Sequence, residues 1–218
     1  MPLCQDTGVT VVFIDWGQNA ALTGGEFNEC ITQGVADAVR GGCLRASIVS
    51  DPLRRINTGD NTPPVIHTRF VPGDSVTVTV APKGFGSENA TSLSFLLPHS
   101  TFDEIIAHVV SAVKRAGANP CPPVVVGVGL GGTAETCCLN AKRALLRDLG
   151  SSNPDPLYDE LEKRTLTAIN ALDIGPQGFG GNTTALAAHY APAPTHIAGL
   201  PLAVNISCHS LRHATAVL

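Results

Sequence analysis

The chain has 218 residues, enough for one large domain or two small ones with a sizeable core. Charged residues are 15% of it, against roughly 25% in a typical globular domain, so part of this glycine-rich surface is expected to lie against a partner. The net charge of −4 without a Lys/Arg run argues against nucleic-acid binding, no apolar run approaches the roughly 20 residues of a membrane span, and the start Met-Pro-Leu-Cys lacks the basic and apolar regions of a secretory signal, so a cytoplasmic location is expected.

Residues 1–8 place a thiol, an amide and a carboxyl side by side in Cys4-Gln5-Asp6, followed by a glycine that permits a sharp turn. The β-rich run 9–15 predicts a strand leaving that turn. Phe27, Ile31, Val35 and Val39 recur every four residues and predict a helix over 26–40, stopped by Gly41-Gly42. A long polar stretch with Arg45, Arg54 and Arg55, ending in Asn57-Thr58-Gly59-Asp60-Asn61-Thr62-Pro63-Pro64, reads as a loop with a function rather than a mere connection. Two alternating runs, 65–71 and 75–81, split by Pro72-Gly73-Asp74, predict a hairpin. A glycine loop, Pro82 to Asn89, carries Lys83 and Gly86, and 92–97 is a further strand. Thr101 and Glu104 form a capping box for a helix whose face carries Phe102, Ile105, Ile106, Val109, Val110 and Val113, with Gly117 as its stop. Cys121 stands between prolines before a strand at 124–128, and Gly129 to Thr133 joins that strand to a helix over 134–148. A helix from Asp155-Pro156 to 172, a glycine-rich segment Gly175–Gly181, and strands near 184–190 and 202–208 complete the chain. The fold class expected is a mixed α/β single domain over 1–218, with a mostly antiparallel sheet flanked by helices.

The seven cysteines are odd in number and irregularly spaced, which argues against a disulfide framework. No Cys-x2-Cys pair occurs, so a zinc ribbon or ferredoxin-type loop is not expected. Cys30, Cys43, Cys137 and Cys138 lie in or beside apolar helices and read as small buried hydrophobes. Cys4, Cys121 and Cys208 stand at element boundaries among Pro, Gly, Asn or Asp, where thiolates from distant segments can reach one iron–sulfur cluster. A free cysteine in such a place is about as often a simple core residue. Three thiolates on a four-iron cubane leave one iron open to a substrate oxygen. Gly129 to Thr133 lacks the GK[ST] ending of a phosphate loop and reads as a capped strand–helix turn. Lys83 and the arginines of 45–55 suit a small anion or, equally, a solvated surface. His196 and His209 are proton carriers by residue type only.

The ordered set of Cys4-Gln5-Asp6-Thr7-Gly8, Leu44-Arg45, Asn57 to Pro63, Lys83 to Asn89, Cys121-Pro122-Pro123, Gly131-Gly132-Thr133-Ala134-Glu135, Gly180-Gly181-Asn182-Thr183, His196 and Cys208 to Arg212 resembles the catalytic α part of the iron–sulfur hydro-lyases, class I fumarases and L(+)-tartrate dehydratase. The resemblance covers nearly the whole chain. It implies that Cys4, Cys121 and Cys208 hold a 4Fe–4S cluster and that Asp6 is the general acid, with His196 beside it. It further implies that Gln5, Arg45 and Gly86 hold a small dicarboxylate. The reaction implied is reversible addition of water, fumarate to L-malate, with L-tartrate to oxaloacetate as the alternative. An inactive, truncated metal-binding or scaffold protein is the reading from another class. The family's α part usually has a helical segment before the Cys-Gln-Asp-Thr-Gly motif, which this chain is expected to lack. The base that takes the carbon-bound proton is expected on a β subunit, in an α2β2 or similar assembly.

Overall fold

The computed structural model describes Cys4, residues 6–210 and residues 212–218. Its elements run β1 (Val9–Gly17), α1 (Phe27–Gly41), β2 (Val65–Val71), β3 (Val76–Lys83), α2 (Phe85–Glu88), β4 (Ser92–Leu96), α3 (Phe102–Ala116), β5 (Val124–Gly131), α4 (Ala134–Ala144), α5 (Pro156–Asn170), a 3-10 turn (Pro176–Gly178), β6 (Ala185–Ala193), β7 (Leu200–Ser207) and β8 (Ala214–Val217). They form two compact units. Unit 1 comprises the residues up to Phe85 together with Arg212–Leu218, and unit 2 comprises the residues from Gly86 onward to the return. Each holds one four-stranded sheet. Four of the six strand pairings are antiparallel, in keeping with the mixed α/β class expected. No helix among the described residues is long and apolar enough to cross a membrane.

Unit 1 is built on β1. Val11, Val12, Phe13 and Ile14 are all buried, so the strand is covered on both faces and must sit inside its sheet. The strand order is β2-β1-β3-β8. This corrects the hairpin expected over 65–81. Both strands form, but β1 lies between them, parallel to β2 and antiparallel to β3. The reason is burial: β2 is mostly exposed, and pairing it directly with β3 would leave the apolar β1 at an edge. The Pro72–Ser75 turn instead clasps the end of β1, with Gly17 N–H donating to Ser75 O and Asn19 N–H to Gly73 O, at 2.9 and 3.0 Å. β8, which sequence periodicity did not indicate, pairs antiparallel with β3 over only four residues. α1 buries Val35, Ala36 and Val39.

Unit 2 is the better packed. β5 is buried along its whole length and runs between β6, parallel, and β7, antiparallel, in the order β4-β7-β5-β6. Its alternation Val126, Val128, Leu130 faces the core formed with α3 and α5. The intervening Gly127 and Gly129 face α4, where a Cβ would collide with the carbonyls of Ala141 and Cys137. The helix backbone can therefore lie directly on the sheet. The capping box of α3 forms as expected, with Thr101 N–H donating to Glu104 Oε2 at 2.7 Å, and Gly117 ends the helix at φ +55°.

A buried carboxylate fastens α5 to the edge strand β6. Glu162 is 6% exposed. It accepts from Arg147 Nη1 at 2.5 Å, Asn153 Nδ2 at 2.9 Å and the Tyr190 N–H at 2.8 Å. Burial alone would raise its pKa, but the charge and hydrogen bonds around it outweigh that and hold it at about 2, below the ordinary 4.5. His189 Nδ1, at 4.0 Å, is beyond hydrogen-bond range, so the arginine, the amide and the backbone N–H are the partners in contact. A depressed carboxylate stabilises the fold fully above its unfolded pKa and loses that contribution as the pH falls toward its folded one. Glu162→Gln should therefore cost roughly 3 kcal/mol at pH 7 and much less near pH 2. Urea denaturation at the two pH values checks this; an equal loss at both would place the acid sensitivity elsewhere.

Candidate active site

Unit 1 carries Cys4, Asp6 and Arg45. The turn Cys4–Gly8 enters β1, and its geometry follows from short-range hydrogen bonds. The Asp6 N–H points at Cys4 Sγ at 3.4 Å, and Asp6 Oδ1 accepts from the Gly8 N–H at 3.1 Å. Arg212 Nη2 donates to the Asp6 carbonyl at 2.8 Å. Gly8 has φ +65°, and a Cβ there would overlap the Lys83 carbonyl, so only glycine lets these backbones meet. Lys83, read as a candidate for solvated surface, is 5% exposed.

Arg45 Nη2 stands 3.8 Å from Asp6 Oδ1, and its Nε donates to Ser47 Oγ at 3.3 Å. The arginine's backbone is pinned from two sides. Its carbonyl accepts from Thr7 Oγ1 at 2.6 Å and from Asn61 Nδ2 at 2.9 Å. Asn61 is 2% exposed, sits at φ +59°, and also accepts the Ser47 N–H on its Oδ1 at 2.5 Å. The long loop expected to be functional thus places Asn61 as the pin that joins the Cys4–Gly8 turn to Arg45. Sequence reading noted the motif but not this role; the signal was an Asn suited to left-handed backbone in a run of turn formers. Asp6, Arg45, Ser47 and Arg55 line a cavity of about 420 Å³, with Phe85 among its apolar walls.

Unit 2 brings Cys121 and Cys208 to one end of its sheet. Cys121 leads into β5 and Cys208 follows β7, and the antiparallel register sets Val125 opposite Ser207. His209 Nδ1 donates to the Cys121 carbonyl at 3.1 Å, so this histidine ties the two cysteine segments together. Cys121 has φ +56° and an exposed thiol; Cys208 is half-buried, its Sγ 3.0 Å from Ser210 Oγ. Gln177 N–H donates to Pro122 O at 2.8 Å, which braces the Cys121 turn with the glycine-rich segment 175–181. Gly86 also lies at this turn: a Cβ on it would sit 3.2 Å from the Asn119 carbonyl. Two residues on, Glu88 accepts from Lys142 Nζ at 2.6 Å and from Asn205 Nδ2 at 3.1 Å, so the glycine loop is also tied to the strand that delivers Cys208.

His196 is not brought to that end. It lies in the exposed connection between β6 and β7, where Gly131 pairs with Ala193. β5 has eight residues, so at a rise of about 3.3 Å per residue this end is roughly 25 Å along the sheet from the cysteines. Gln5 lies outside the described residues.

The remaining thiols divide. Cys137 is fully buried and burial pushes its pKa up to about 11; Cys138 is half-buried and raised for the same first cause. Cys30 and Cys43, expected to be buried, are exposed. Cys30, in the first turn of α1, lines an open apolar cavity with Phe27, Ile31 and Val35, and Cys43 follows the helix end at φ +50°. Among the described residues no three His, Cys, Asp or Glu side chains form a group that could by itself hold a metal ion.

The profile of the fumarate hydratase (Fumerase) family matches residues 1–217. The chain belongs to the fumarate hydratase family. By that membership it is a hydro-lyase. Among individual proteins of that kind, it is 39% identical over 222 residues to a Methanocaldococcus jannaschii protein provisionally named L(+)-tartrate dehydratase subunit alpha, covering 98% of this chain and 77% of that one. It is 33% identical over 221 residues to the L(+)-tartrate dehydratase subunit alpha of Escherichia coli O157:H7, covering 100% of this chain and 72% of the other. Against the subunit of the same name from Escherichia coli K12 the identity is 32% over 221 residues, with the same coverage.

Asn61→Ala would leave the Arg45 carbonyl short of one donor and the Ser47 N–H without its acceptor, and would put a Cβ-bearing residue of little left-handed tolerance at φ +59°. The expected loss is about 2–4 kcal/mol of stability, read by urea denaturation. A change below about 0.5 kcal/mol, the range of neutral surface substitutions, would show that the pin is dispensable.

Proposed function

We propose that the chain is the α subunit of a two-subunit hydro-lyase acting on a small dicarboxylate, with fumarate to L-malate as its reaction. The observation that carries this reading is the pairing of Asp6 with Arg45 at one cavity, directly after Cys4. An arginine fork binds a carboxylate, and an adjacent acid can deliver a proton to the hydroxyl leaving the same molecule. The tartrate reading stands beside it, because the similar proteins named above are L(+)-tartrate dehydratase α subunits. Those names also support a β subunit as partner.

The family is generally iron–sulfur dependent, and the thiols of this chain fit a 4Fe–4S cluster. Cys4, Cys121 and Cys208 are exposed or half-buried thiols within the motifs that carry the resemblance, and the Asp6 N–H is aimed at Cys4 Sγ. The buried Cys137, with its raised pKa, is unsuited to be a ligand. When bound, the cluster would supply an electrophilic iron that polarises the substrate hydroxyl. Asp6 then holds the proton, oriented through Oδ1 by the Gly8 N–H. Arg45 and the Gly86 backbone, with Gln5, orient the carboxylates, and the apolar side of the cavity, Val9, Ile48 and Phe85, limits water. A role for His196 beside Asp6 is implied by the resemblance alone, since within unit 2 it stands at the opposite end of β5 from Cys121 and Cys208.

Anaerobic reconstitution of Cys4→Ser, Cys121→Ser and Cys208→Ser should each give reduced iron and sulfide, while Cys137→Ser reconstitutes like the parent. Full iron and sulfide in any of the first three would remove that residue from the ligand set. With the β subunit added, the chain should hydrate fumarate or dehydrate L-tartrate, and comparing the two rates decides the substrate. Asp6→Asn should keep the cluster absorbance and lose about 10²–10⁴-fold in turnover; a rate within a few-fold of the parent would take Asp6 out of the acid role.

A further inference from the structure

Arg212 reaches back to the turn that carries Asp6. It stands four residues after Cys208 in sequence and belongs to unit 1, as Cys4 and Asp6 do. Its Nη2 donates to the Asp6 carbonyl at 2.8 Å. The N–H of the same aspartate points at Cys4 Sγ at 3.4 Å. The guanidinium is therefore fastened to the one residue whose amide meets the sulfur of a candidate cluster ligand.

One donor of this guanidinium is unused. Its Nε is buried from solvent and has no hydrogen-bond partner. Among the described residues of unit 1 it is the one buried side-chain nitrogen or oxygen in that state. Bulk water satisfies an exposed donor but does not reach this one, and an unmet buried donor is costly. A guanidinium offers donors only and keeps its proton at any ordinary pH, so the missing partner is an acceptor. Because the group is cationic, an anionic acceptor gives the strongest bond.

We propose that Arg212 is a positioning residue for the cluster, its Nε–H donating to an anionic sulfur of the 4Fe–4S group. A hydrogen bond to cluster sulfur eases reduction, because the reduced state carries more negative charge. Through Nη2 the same side chain holds the backbone of Asp6. One residue thus joins the carrier of the proton to the sulfur shell of the metal. The inference rests on the reading that this chain holds the cluster.

The test uses the cluster-loaded chain with its β subunit and reads a reduction potential rather than turnover. In Arg212→Lys a methylene stands in place of Nε while the positive charge is kept. In Arg212→Gln the amide nitrogen stands in place of Nε while the charge is lost. An anaerobic redox titration followed by electron paramagnetic resonance should show the reduction equilibrium lowered about tenfold in Arg212→Lys, or about 59 mV for one electron. Arg212→Gln should stay within a few-fold of the parent. The opposite order would mean that charge alone acts, and it would overturn the assignment. So would no change in Arg212→Lys, or an equal fall in both variants. A measurement on the unmutated chain covers variants that fail to assemble: with nitrogen-15 placed at Nε of arginine, the reduced cluster should show hyperfine coupling to the label, and its absence would overturn the proposal. Iron and sulfide analysis of the parent reports separately on the reading beneath, since a parent without a four-iron cluster would bring down that reading itself.

Discussion

The approach of the Gly8 backbone to the Lys83 carbonyl sets where everything in unit 1 meets. It closes the register of β1 against β3 at the end where Val9 pairs with Lys83. Two motifs, the turn that closes at Gly8 and the loop that begins 75 residues later at Lys83, therefore start from the same end of one sheet. Any side chain at position 8 would push these backbones apart and unseat Asp6, whose carboxylate is oriented by the Gly8 N–H itself. The buried run Val11–Ile14 then makes this arrangement stiff, because shifting β1 by one residue would exchange the side chains of its two faces.

Within each unit the candidate residues are held by polar groups rather than by apolar packing. Thr7 and Asn61 hold the Arg45 carbonyl, His209 holds the Cys121 carbonyl, and Glu88 holds Asn205. Each pin is a side chain bonded to a backbone or side-chain group far away in sequence or across a turn. Such contacts have strict geometry, so they fix positions to a fraction of the tolerance that apolar contacts allow. They are also vulnerable, since losing one partner strands the other.

Much of the fold was legible in local pattern. The α3 capping box, the Gly117 stop, the strand after Cys121 and the helix after Thr133 all follow from short-range chemistry and appear as expected. Pairing was not legible. The runs at 65–71 and 76–83 look like partners because a short turn joins them, and only the burial demand of β1 decides otherwise. β8 escaped notice because Ala214–Val217 is short and exposed, with its strand character supplied by β3. In the site, residue types and order indicated Asp6, Arg45 and the cysteines. The roles of Asn61 and Glu88 depend on which distant groups come within hydrogen-bond reach, and no spacing rule encodes that. The position of His196, at the other end of β5 from Cys121, likewise follows from strand direction and not from its neighbours in sequence.

The exposure of Cys30 and Cys43 has a practical side for handling the protein in air. Accessible thiols are oxidised through sulfenic acid and crosslink to other thiols, whereas a buried one such as Cys137 is shielded. Aerobic ageing of the chain therefore has a route that never involves the candidate site: covalent dimers and mixed disulfides formed through surface positions. Those products reverse with a reducing agent and show on a non-reducing gel. Replacing both residues with serine removes that background, so that any sensitivity to oxygen left in the double variant belongs to the remaining thiols.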